Sequence, residues 1–203
     1  MKLFFTRHGE SQANLERIIS NRALPHALTA TGRAQAAALA EQIATEPVTA
    51  IYASPILRAQ ETAQMIGERL GAPVYTSDAL REFDCGDVEG RGDAEAWAAH
   101  HNVIAAWAIH DYAQCIPGGE SFIDMQARFV PFVQALVDDH AHQDIALLLI
   151  GHGSLLTHML PLLLVNIDRA FIAQYGMRNC VYIRVVVNEG QLICEQWDDC
   201  NLA

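Results

Sequence analysis

Short apolar runs alternate along the chain with longer segments in which apolar residues recur at helical spacing. The short runs predict buried strands and the longer segments predict helices. Strands that alternate with helices are typical of a three-layer α/β/α fold, in which helices cover both faces of a mostly parallel sheet. The predicted strands are 2–6, 48–53, 74–76, 144–150 and a closing hairpin of 181–187 and 192–195 that adds one antiparallel edge; the predicted helices are 33–44, 55–70, one or two within 93–112, 121–139, one from 154 onward, and 168–175.

Residues with special backbone preferences mark several boundaries. Ser54-Pro55 predicts the N-cap and first turn of one helix, and Gly71 predicts its end. Pro131 predicts a kink or a break within its helix. Ser154 is expected to cap the helix that follows the fourth strand.

The composition is that of one globular domain. The chain has 203 residues, of which 51% are hydrophobic and 18% are charged, a balance that supports a buried core and excludes a disordered chain. It contains no repeat and no linker, so residues 1–203 are expected to form a single domain. The five cysteines are an odd number without Cys-x-x-Cys spacing, which predicts free thiols in a reducing compartment.

The net charge limits the partners. Acidic residues number 24 against 13 basic ones, a net charge of −11, which disfavours nucleic acids and anionic membrane surfaces because both are polyanions. The apolar runs are far shorter than the roughly 20 residues that span a bilayer, and the first residues do not resemble a signal peptide. We therefore expect a cytoplasmic protein with no nucleic-acid or membrane partner. A local arginine cluster can still bind a small anion.

Two predicted strands end at a His-Gly dipeptide. The first strand leads into Arg7-His8-Gly9, and the fourth leads into Gly151-His152-Gly153. Ligands of open α/β sheets bind beyond the carboxyl ends of the strands, so the two histidines are expected to meet there. The flanking glycines remove side-chain bulk, and their N–H groups can point at an anion near a helix N-terminus.

Arginines at these strand ends indicate a phosphate ligand. Arg58 follows the second strand, and together with Arg7 it would form a guanidinium clamp, because the planar fork of arginine donates two parallel hydrogen bonds. Phosphoryl transfer from an ester also requires a proton for the departing alkoxide. Glu82, a few residues after the third strand, is the best-placed proton donor, and Glu89 and Asp84 are the next candidates.

Motifs in a fixed order run through residues 3–153. They are Phe5 to Ser11 with Asn14, Leu28-Thr29 to Gly32 with Gln35-Ala36, Ala53 to Ala59 with Glu61-Thr62-Ala63, Leu80 to Glu82, Gly86, Glu89-Gly90, Pro117 to Ser121, and Gly151-His152-Gly153. The series resembles the histidine phosphatase (phosphoglycerate mutase-like) superfamily, especially its small broad-specificity and alpha-ribazole-type phosphatases. The chain departs from the family pattern at Val88, where relatives often have tryptophan, and at Ser154, where a second glycine is frequent.

The resemblance implies phosphoryl transfer through a phosphohistidine, with no metal and no other cofactor. Carried over by position, His8 is the nucleophile. Arg7, Arg58 and His152 hold the phosphoryl oxygens and the charge that develops on them.

The same resemblance assigns the remaining site residues. Asn14 and Gly153 donate to the substrate, a small phosphorylated molecule. Glu82 protonates the leaving oxygen and then accepts a proton from the attacking water. Residues 93–120 are expected to form a helical lid inserted over the active site.

The expected reaction is the hydrolysis of small phosphomonoesters. A mutase must hold an acid with two anionic ends, yet no lysine or arginine lies between Asp93 and Gln126, where mutases similar to this chain carry basic residues. Phosphoglycerate mutase-type transfer and a non-catalytic, protein-binding relative remain alternatives. A bisphosphate substrate is a further alternative, in which the second phosphate would bind arginines at the mouth of the pocket: Arg17, Arg22 and Arg81.

Two other kinds of chemistry have weak support. A zinc site of His8, His152 and His158 lacks the ligand spacing of such sites. A serine nucleophile at Ser11 or Ser154 lacks a Gly-x-Ser-x-Gly elbow.

Several further side chains have two possible roles. Trp97 and Trp107 fit a substrate pocket or the core equally well. Glu89, Glu120 and Ser121 fit either the active site or the support of loops. No catalytic role is expected for the remaining polar or helix-end histidines, His100, His101, His110, His140 and His142.

Overall fold

A mixed seven-stranded sheet organises the residues that the computed structural model describes, which are 1–22, 24–140 and 143–202. The strands lie in the order β3-β2-β4-β1-β5-β6-β7; their bounds are β1 (Lys2–Arg7), β2 (Val48–Ala53), β3 (Val74–Thr76), β4 (Ala146–Gly151), β5 (Ile183–Asn188), β6 (Gln191–Trp197) and β7 (Cys200–Asn201). The first four strands in this order are parallel. The pairings of β5 with β1, β6 with β5 and β7 with β6 are antiparallel.

Seven α-helices connect the strands in the described part of the chain, together with two short 3₁₀ helices at Asp78–Leu80 and Gly86–Val88. The α-helices are α1 (Gln12–Glu16), α2 (Ala30–Ile43), α3 (Leu57–Leu70), α4 (Ala94–Ala108), α5 (Phe122–His140), α6 (Gly153–Leu163) and α7 (Arg169–Tyr175). In the same described residues no helix is long and apolar enough to cross a membrane.

The two faces of the sheet bury separate cores. Side chains alternate across a strand, so Leu3 and Phe5 of β1 enter one core while Phe4 enters the other. Residues of α5 and α6, among them Phe129 and Leu155, complete the first core. Residues of α2 and α3, such as Leu39 and Ile66, complete the second. The predicted three-layer α/β/α arrangement is confirmed.

The three central parallel strands end at the same level. Arg7 of β1 pairs with Gly151 of β4, and Ala53 of β2 pairs with Ile150 of β4. The residues that follow these strands therefore emerge at one edge of the sheet, as the sequence predicts.

Two glycines let the start of α2 approach the loop after β1. A Cβ atom at Gly9 would lie 2.5 Å from the carbonyl oxygen of Gly32, and a Cβ atom at Gly32 would overlap the carbonyl oxygen of Glu10. Any larger residue at either position would push α2 away from the loop that carries His8.

The predicted N-cap at Ser54 is wrong. Helix α3 begins at Leu57, with Ile56 in the N-cap position. The hydroxyl of Ser54 instead accepts a hydrogen bond from the backbone N–H of Ile56, in a turn that precedes the helix. That turn leaves the Ser54 side chain at the strand edge.

The predicted cap at Ser154 is also wrong, because α6 begins at Gly153 with His152 in the N-cap position. Pro131 does not break its helix, which runs as α5 from Phe122 to His140. The antiparallel edge contains three strands rather than only the hairpin, and the two-residue β7 and the five-residue α1 are too short for a periodic signal. His142 lies outside the described residues.

Candidate active site

Three side chains from three strand ends form one hydrogen-bonded chain. Arg58, in the first turn of α3, donates through Nε to Nε2 of His8 (2.9 Å) and through NH2 to Nδ1 of His152 (3.3 Å). The centroids of the two imidazole rings are 5.1 Å apart. His8, Arg58 and His152 are 2%, 5% and 0% exposed. The two His-Gly segments and Arg58 therefore meet at this edge of the sheet, as the sequence predicts.

The hydrogen bonds of His8 determine which nitrogen carries its proton. Nδ1 lies 2.7 Å from the carbonyl oxygen of Gly9, which can only accept, so Nδ1 carries the hydrogen. Nε2 is then unprotonated, and its lone pair accepts a hydrogen bond from Nε of Arg58. Burial, followed by the charges of Arg58 and Arg7, lowers the pKa of His8 well below 6.5. The ring is therefore neutral near pH 7, with Nε2 as its nucleophilic atom.

The opposite tautomer is fixed on His152. Its Nδ1 accepts from Arg58, so Nε2 carries the hydrogen and donates to Oγ of Ser54 at 2.7 Å. Ser54 is completely buried. Burial is also the main reason that the pKa of His152 lies well below 6.5, and the charge of Arg58 adds to it.

Arg58 is held from several directions. Its NH1 donates to the carbonyl oxygen of Ser20 at 2.6 Å. The hydroxyl of Thr62, one turn along α3, donates to the carbonyl oxygen of Arg58 (2.7 Å) and accepts from the N–H of Gly9 (3.1 Å). Burial lowers the pKa of Arg58 to about 10, so the guanidinium remains a cation at pH 7.

Arg7 supplies a second buried cation. Its NH1 donates to the carbonyl oxygen of Met177 at 2.9 Å, while its Nε is buried and has no hydrogen-bond partner in the part of the chain that the structure describes. A Cβ atom at Gly153 would lie 3.4 Å from that Nε, so glycine here leaves room for the guanidinium beside the start of α6. Burial lowers the pKa of Arg7. An unpartnered buried N–H beside a helix N-terminus is suited to an anion.

The carboxylate of Glu82 lies at the N-terminus of α6. Oε1 accepts from the backbone N–H groups of Leu155 (2.7 Å) and Phe83 (3.1 Å), and Oε2 accepts only from that of Ser154 (2.8 Å). Glu82 is 8% exposed and lines the same cavity as His8. Oε2 is therefore the carboxyl oxygen with more capacity left for a proton.

Asn14 is fixed by Ser11. Its Oδ1 accepts from the backbone N–H (3.0 Å) and the hydroxyl (3.1 Å) of Ser11, at the start of α1. The amide nitrogen is thereby left to donate into the cavity that Asn14 lines. Ser11 itself is a supporting residue at this place.

The cavity beyond these residues has a volume of about 440 Å³. Besides the strand-end residues, its lining includes one face of α4, with Trp97, His100, His101 and Ile104. These positions follow the spacing i, i+3, i+4, i+7, so they share one side of the helix. The sequence predicts a lid over residues 93–120 and leaves a pocket role open for Trp97, but it does not single out His100, His101 or Ile104, because the same spacing is also typical of core contacts.

For several residues, the structure decides between the two roles that the sequence leaves possible. Trp107 is 0% exposed and packs in the first core, whereas Trp97 lines the cavity. Glu89 accepts from the backbone N–H groups of Asn21, Arg22 and Cys85 and therefore ties two loops together. Burial raises the pKa of Glu89, but Glu89 does not line the cavity.

Glu120 and Ser121 also support loops. Glu120 binds the guanidinium of Arg128 and accepts from the backbone N–H of Asp84. Ser121 bonds to Asp124 at the start of α5. No group of three or more His, Cys, Asp or Glu side chains is arranged to hold a metal ion within residues 1–22, 24–140 and 143–202.

The model of the histidine phosphatase superfamily (branch 1) matches residues 3–200. The chain belongs to this superfamily. A curated relative in the superfamily is glucosyl-3-phosphoglycerate phosphatase from Mycolicibacterium vanbaalenii, 34% identical over 169 residues, or 80% of this chain and 74% of the relative. Another is the 2,3-bisphosphoglycerate-dependent phosphoglycerate mutase of Brucella ovis, 32% identical over 160 residues, or 75% of this chain and 76% of the relative.

Solved structures of histidine phosphatases match nearly the whole chain. The native structure of a mycobacterial glucosyl-3-phosphoglycerate phosphatase superposes with a TM-score of 0.80 at 29% identity, covering 97% of this chain and 98% of that one. An alpha-ribazole phosphatase from Shigella flexneri superposes with a TM-score of 0.80 at 24% identity, covering 98% and 96%, and at that identity it supports the fold alone. The predicted resemblance to the histidine phosphatase (phosphoglycerate mutase-like) superfamily is confirmed, and phosphatase-named relatives support a phosphatase.

Proposed function

We propose that this protein hydrolyses small phosphomonoesters without a metal ion, through a phosphohistidine on Nε2 of His8. The observation that carries the proposal is the pairing of an unprotonated Nε2 with the buried cation of Arg58. A neutral imidazole is the form that attacks phosphorus, and fixed cations stabilise the charge on the transferring group.

Substrate binding begins with the exchange of Arg58 from His8 to phosphate. A phosphoryl oxygen is a charge-assisted acceptor and a stronger one than a neutral imidazole nitrogen. The guanidinium of Arg58 therefore moves its hydrogen bond onto the phosphoryl group, which frees the lone pair of Nε2. Arg7, whose Nε has no protein partner, holds a second oxygen. Asn14 and the N–H of Gly153, the first residue of α6, donate to the remaining acceptors.

Attack then proceeds in line. Nε2 of His8 forms a bond to phosphorus while the bond from phosphorus to the ester oxygen breaks, and Glu82 gives a proton to the departing alkoxide from Oε2. Water next attacks phosphorus and passes a proton to Glu82, while the bond from phosphorus to Nε2 breaks and its electron pair returns to the imidazole. Inorganic phosphate leaves and His8 is neutral again. In this proposal His152, which accepts from Arg58 through Nδ1 and donates to Ser54 through Nε2, orients Arg58 at the phosphoryl site.

The region 93–120 serves as the lid in this proposal. Its helix α4 provides one wall of the cavity, and Nε1 of Trp97 donates to the carbonyl oxygen of Arg17 at 2.8 Å, which fastens the helix to the loop after α1. A covered cavity excludes bulk water and strengthens the electrostatic interactions inside it.

Hydrolysis is favoured over mutase transfer by the charges of the cavity. Among the described residues, Arg7 and Arg58 are the only cations in its lining. Two of the other arginines considered for a bisphosphate are paired elsewhere: Arg22 with Asp84, and Arg81 with Asp78. The mutase-named relative keeps phosphoglycerate interconversion as the second candidate.

The test combines turnover with trapping. The purified protein should release phosphate from p-nitrophenyl phosphate at a rate that EDTA leaves unchanged, and brief reaction with ³²P-labelled substrate should leave acid-labile label on the protein. Both signals should vanish in His8→Ala. Loss of activity on chelation would favour metal-dependent hydrolysis, and absence of turnover would favour a non-catalytic relative. Phosphoglycerate interconversion faster than phosphate release would favour the mutase.

A further inference from the structure

The cavity has a part that the chemistry at phosphorus does not use. We call it the imidazole wall and define it as Trp97, His100 and Ile104 of α4 with Thr157 and His158 of α6. His100 is close enough to His158 to contribute to the lowering of its pKa. His158 packs edge-on against Trp107, and His100 packs against Phe83. The wall is therefore anchored in the core on one side and lines the cavity on the other.

The two imidazoles of the wall lack protein partners. Five other histidines of the described chain bond through Nδ1 to a protein atom. By contrast, Nδ1 of His100 and of His158 is buried with no hydrogen-bond partner among the described residues. Neither ring makes a hydrogen bond to the described protein, and both rings line the cavity. The Nε2 atoms are thus the hydrogen-bonding positions that these rings offer to a molecule in the cavity.

The imidazole wall carries no charge near neutral pH. Burial lowers the pKa of His100 to about 4, with His101 adding to the effect. Burial likewise lowers the pKa of His158 to about 4, with contributions from Arg169 and His100. Neutral rings cannot balance a carboxylate, and placing an unpaired charge against them is unfavourable.

A neutral imidazole is complementary to a hydroxyl group as a hydrogen-bonding partner. A ring nitrogen either donates or accepts according to its tautomer, and a hydroxyl can meet either state because it does both. Trp97 and Ile104 add an aromatic and an aliphatic surface, on which a ring can pack. Among the described residues, the five that form the wall carry no charge to pair with a carboxylate or an ammonium group, and Arg169, whose charge contributes to the lowered pKa of His158, does not line the cavity.

We propose that the imidazole wall binds the leaving group, and that it selects phosphate monoesters of an uncharged, ring-containing alcohol with a further hydroxyl group. This inference rests on the proposed phosphatase function. His100 and His158 are then specificity-determining residues, whose ring nitrogens bond the hydroxyl of the leaving group.

The test uses three kinds of ester that share a benzylic carbon on the leaving oxygen: benzyl phosphate, the three ring isomers of hydroxymethylbenzyl phosphate, and 4-carboxybenzyl phosphate. For the best hydroxymethyl isomer, kcat/KM should exceed that of benzyl phosphate about three- to tenfold, the range of one neutral hydrogen bond. The carboxyl ester should be slower than benzyl phosphate by about tenfold or more, because its charge is left unpaired.

Phenylalanine substitutions separate hydrogen bonding from ring packing. In His100→Phe/His158→Phe the preference for the hydroxymethyl ester over benzyl phosphate should fall to about one, since both ring nitrogens are gone while the ring shapes remain. His140→Phe is the matched control, because His140 bonds to Leu136 at the end of α5 and does not line the cavity. It should leave the preference as it is.

A readout without turnover makes the two proposals independent. Calorimetric Kd values of the same esters on His8→Ala protein should show the same order. If native protein fails to hydrolyse benzyl phosphate, the phosphatase proposal is wrong. The order of the Kd values still tests whether the imidazole wall prefers an uncharged hydroxyl-bearing ring. Equal values for the three esters, or a preference for the carboxyl ester, would overturn the imidazole wall even in an active phosphatase.

Discussion

Arg58 donates from Nε to Nε2 of His8 at 2.9 Å, so a buried cation is bonded to the lone pair that is proposed to attack phosphorus. This contact helps to keep His8 neutral, since the charge of Arg58 opposes a second positive charge on the ring. It also places the guanidinium within reach of any phosphoryl group that approaches Nε2. One side chain thus adds to the burial that keeps the nucleophile neutral and also supplies positive charge beside it.

Arg58→Ala should lower kcat/KM for p-nitrophenyl phosphate by about 10²- to 10³-fold, equivalent to about 2–4 kcal/mol of transition-state stabilisation. Arg58→Lys should restore little of the loss, because an ammonium is a point charge that cannot serve His8 and His152 together through a planar fork. Steady-state kinetics of both variants provide the measurement.

Arg81→Ala is the matched control for Arg58, since Arg81 pairs with Asp78 on the surface and does not line the cavity. Its kcat/KM should equal that of the native protein. Unchanged turnover in Arg58→Ala would remove Arg58 from the proposed phosphoryl site.

Ser54→Ala should change the tautomer balance of His152. The Ser54 hydroxyl accepts from Nε2–H at 2.7 Å, and its removal leaves that buried N–H without a partner, at a cost of about 1–3 kcal/mol in the free energy of unfolding. We expect kcat to fall while KM changes less, because His152 orients Arg58, which stabilises the charge on the transferring group. Nitrogen-15 NMR of the imidazoles would report the loss of a single Nε2–H form.

The control for Ser54 is Ser77→Ala, which removes the hydroxyl that accepts from the N–H of Ala79 at the start of a 3₁₀ helix away from the cavity. It should affect stability alone. A Ser54→Ala protein with the native kcat and native imidazole spectrum would show that Ser54 does not position His152.

The positions of His8, Arg58 and His152 could be predicted because they depend on strand order alone. Each follows a buried apolar run, and parallel strands bring their carboxyl ends to one edge of the sheet. The role of Ser54 could not be predicted in the same way. Its sequence context, Ser-Pro before a helix, is equally that of an N-cap, and only the three-dimensional position of His152 decides between the two.

The face of α4 shows a second limit of sequence reasoning. Trp97, His100 and Ile104 follow the same spacing as core residues of any amphipathic helix. Whether that stripe meets the protein core or a cavity depends on how far α4 stands from α6, which is a property of packing. The sequence therefore predicts no catalytic role for His100 and His101, although both line the cavity.

Glu82→Gln should slow esters of poor leaving groups far more than p-nitrophenyl phosphate. A glutamine has no proton to give, and alkyl phosphates need one, whereas p-nitrophenolate leaves with little help. The expected difference between benzyl and p-nitrophenyl phosphate is about 10²-fold or more, in the range of general acid catalysis. The ratio of the two kcat values measures it.

Glu89→Gln is the control for the carboxyl group, because Glu89 ties loops together and does not line the cavity. Its kcat ratio should match that of the native protein. Equal slowing of both esters in Glu82→Gln would transfer the proton-donor role to another group, with Glu89 and Asp84 as the next candidates.

The stability of the fold should fall as the pH drops from about 6.5 toward about 4, in part because of His100 and His158. Their pKa is about 4 in the folded chain and near 6.5 when exposed, so the unfolded chain binds more protons throughout this interval. Stability from this source is complete above pH 6.5 and decreases as the pH falls, by on the order of 1–3 kcal/mol for each ring. Urea unfolding as a function of pH measures the slope. His158→Phe should reduce it, whereas His140→Phe should retain it, and identical slopes in native and His158→Phe protein would contradict the buried, neutral state of that ring.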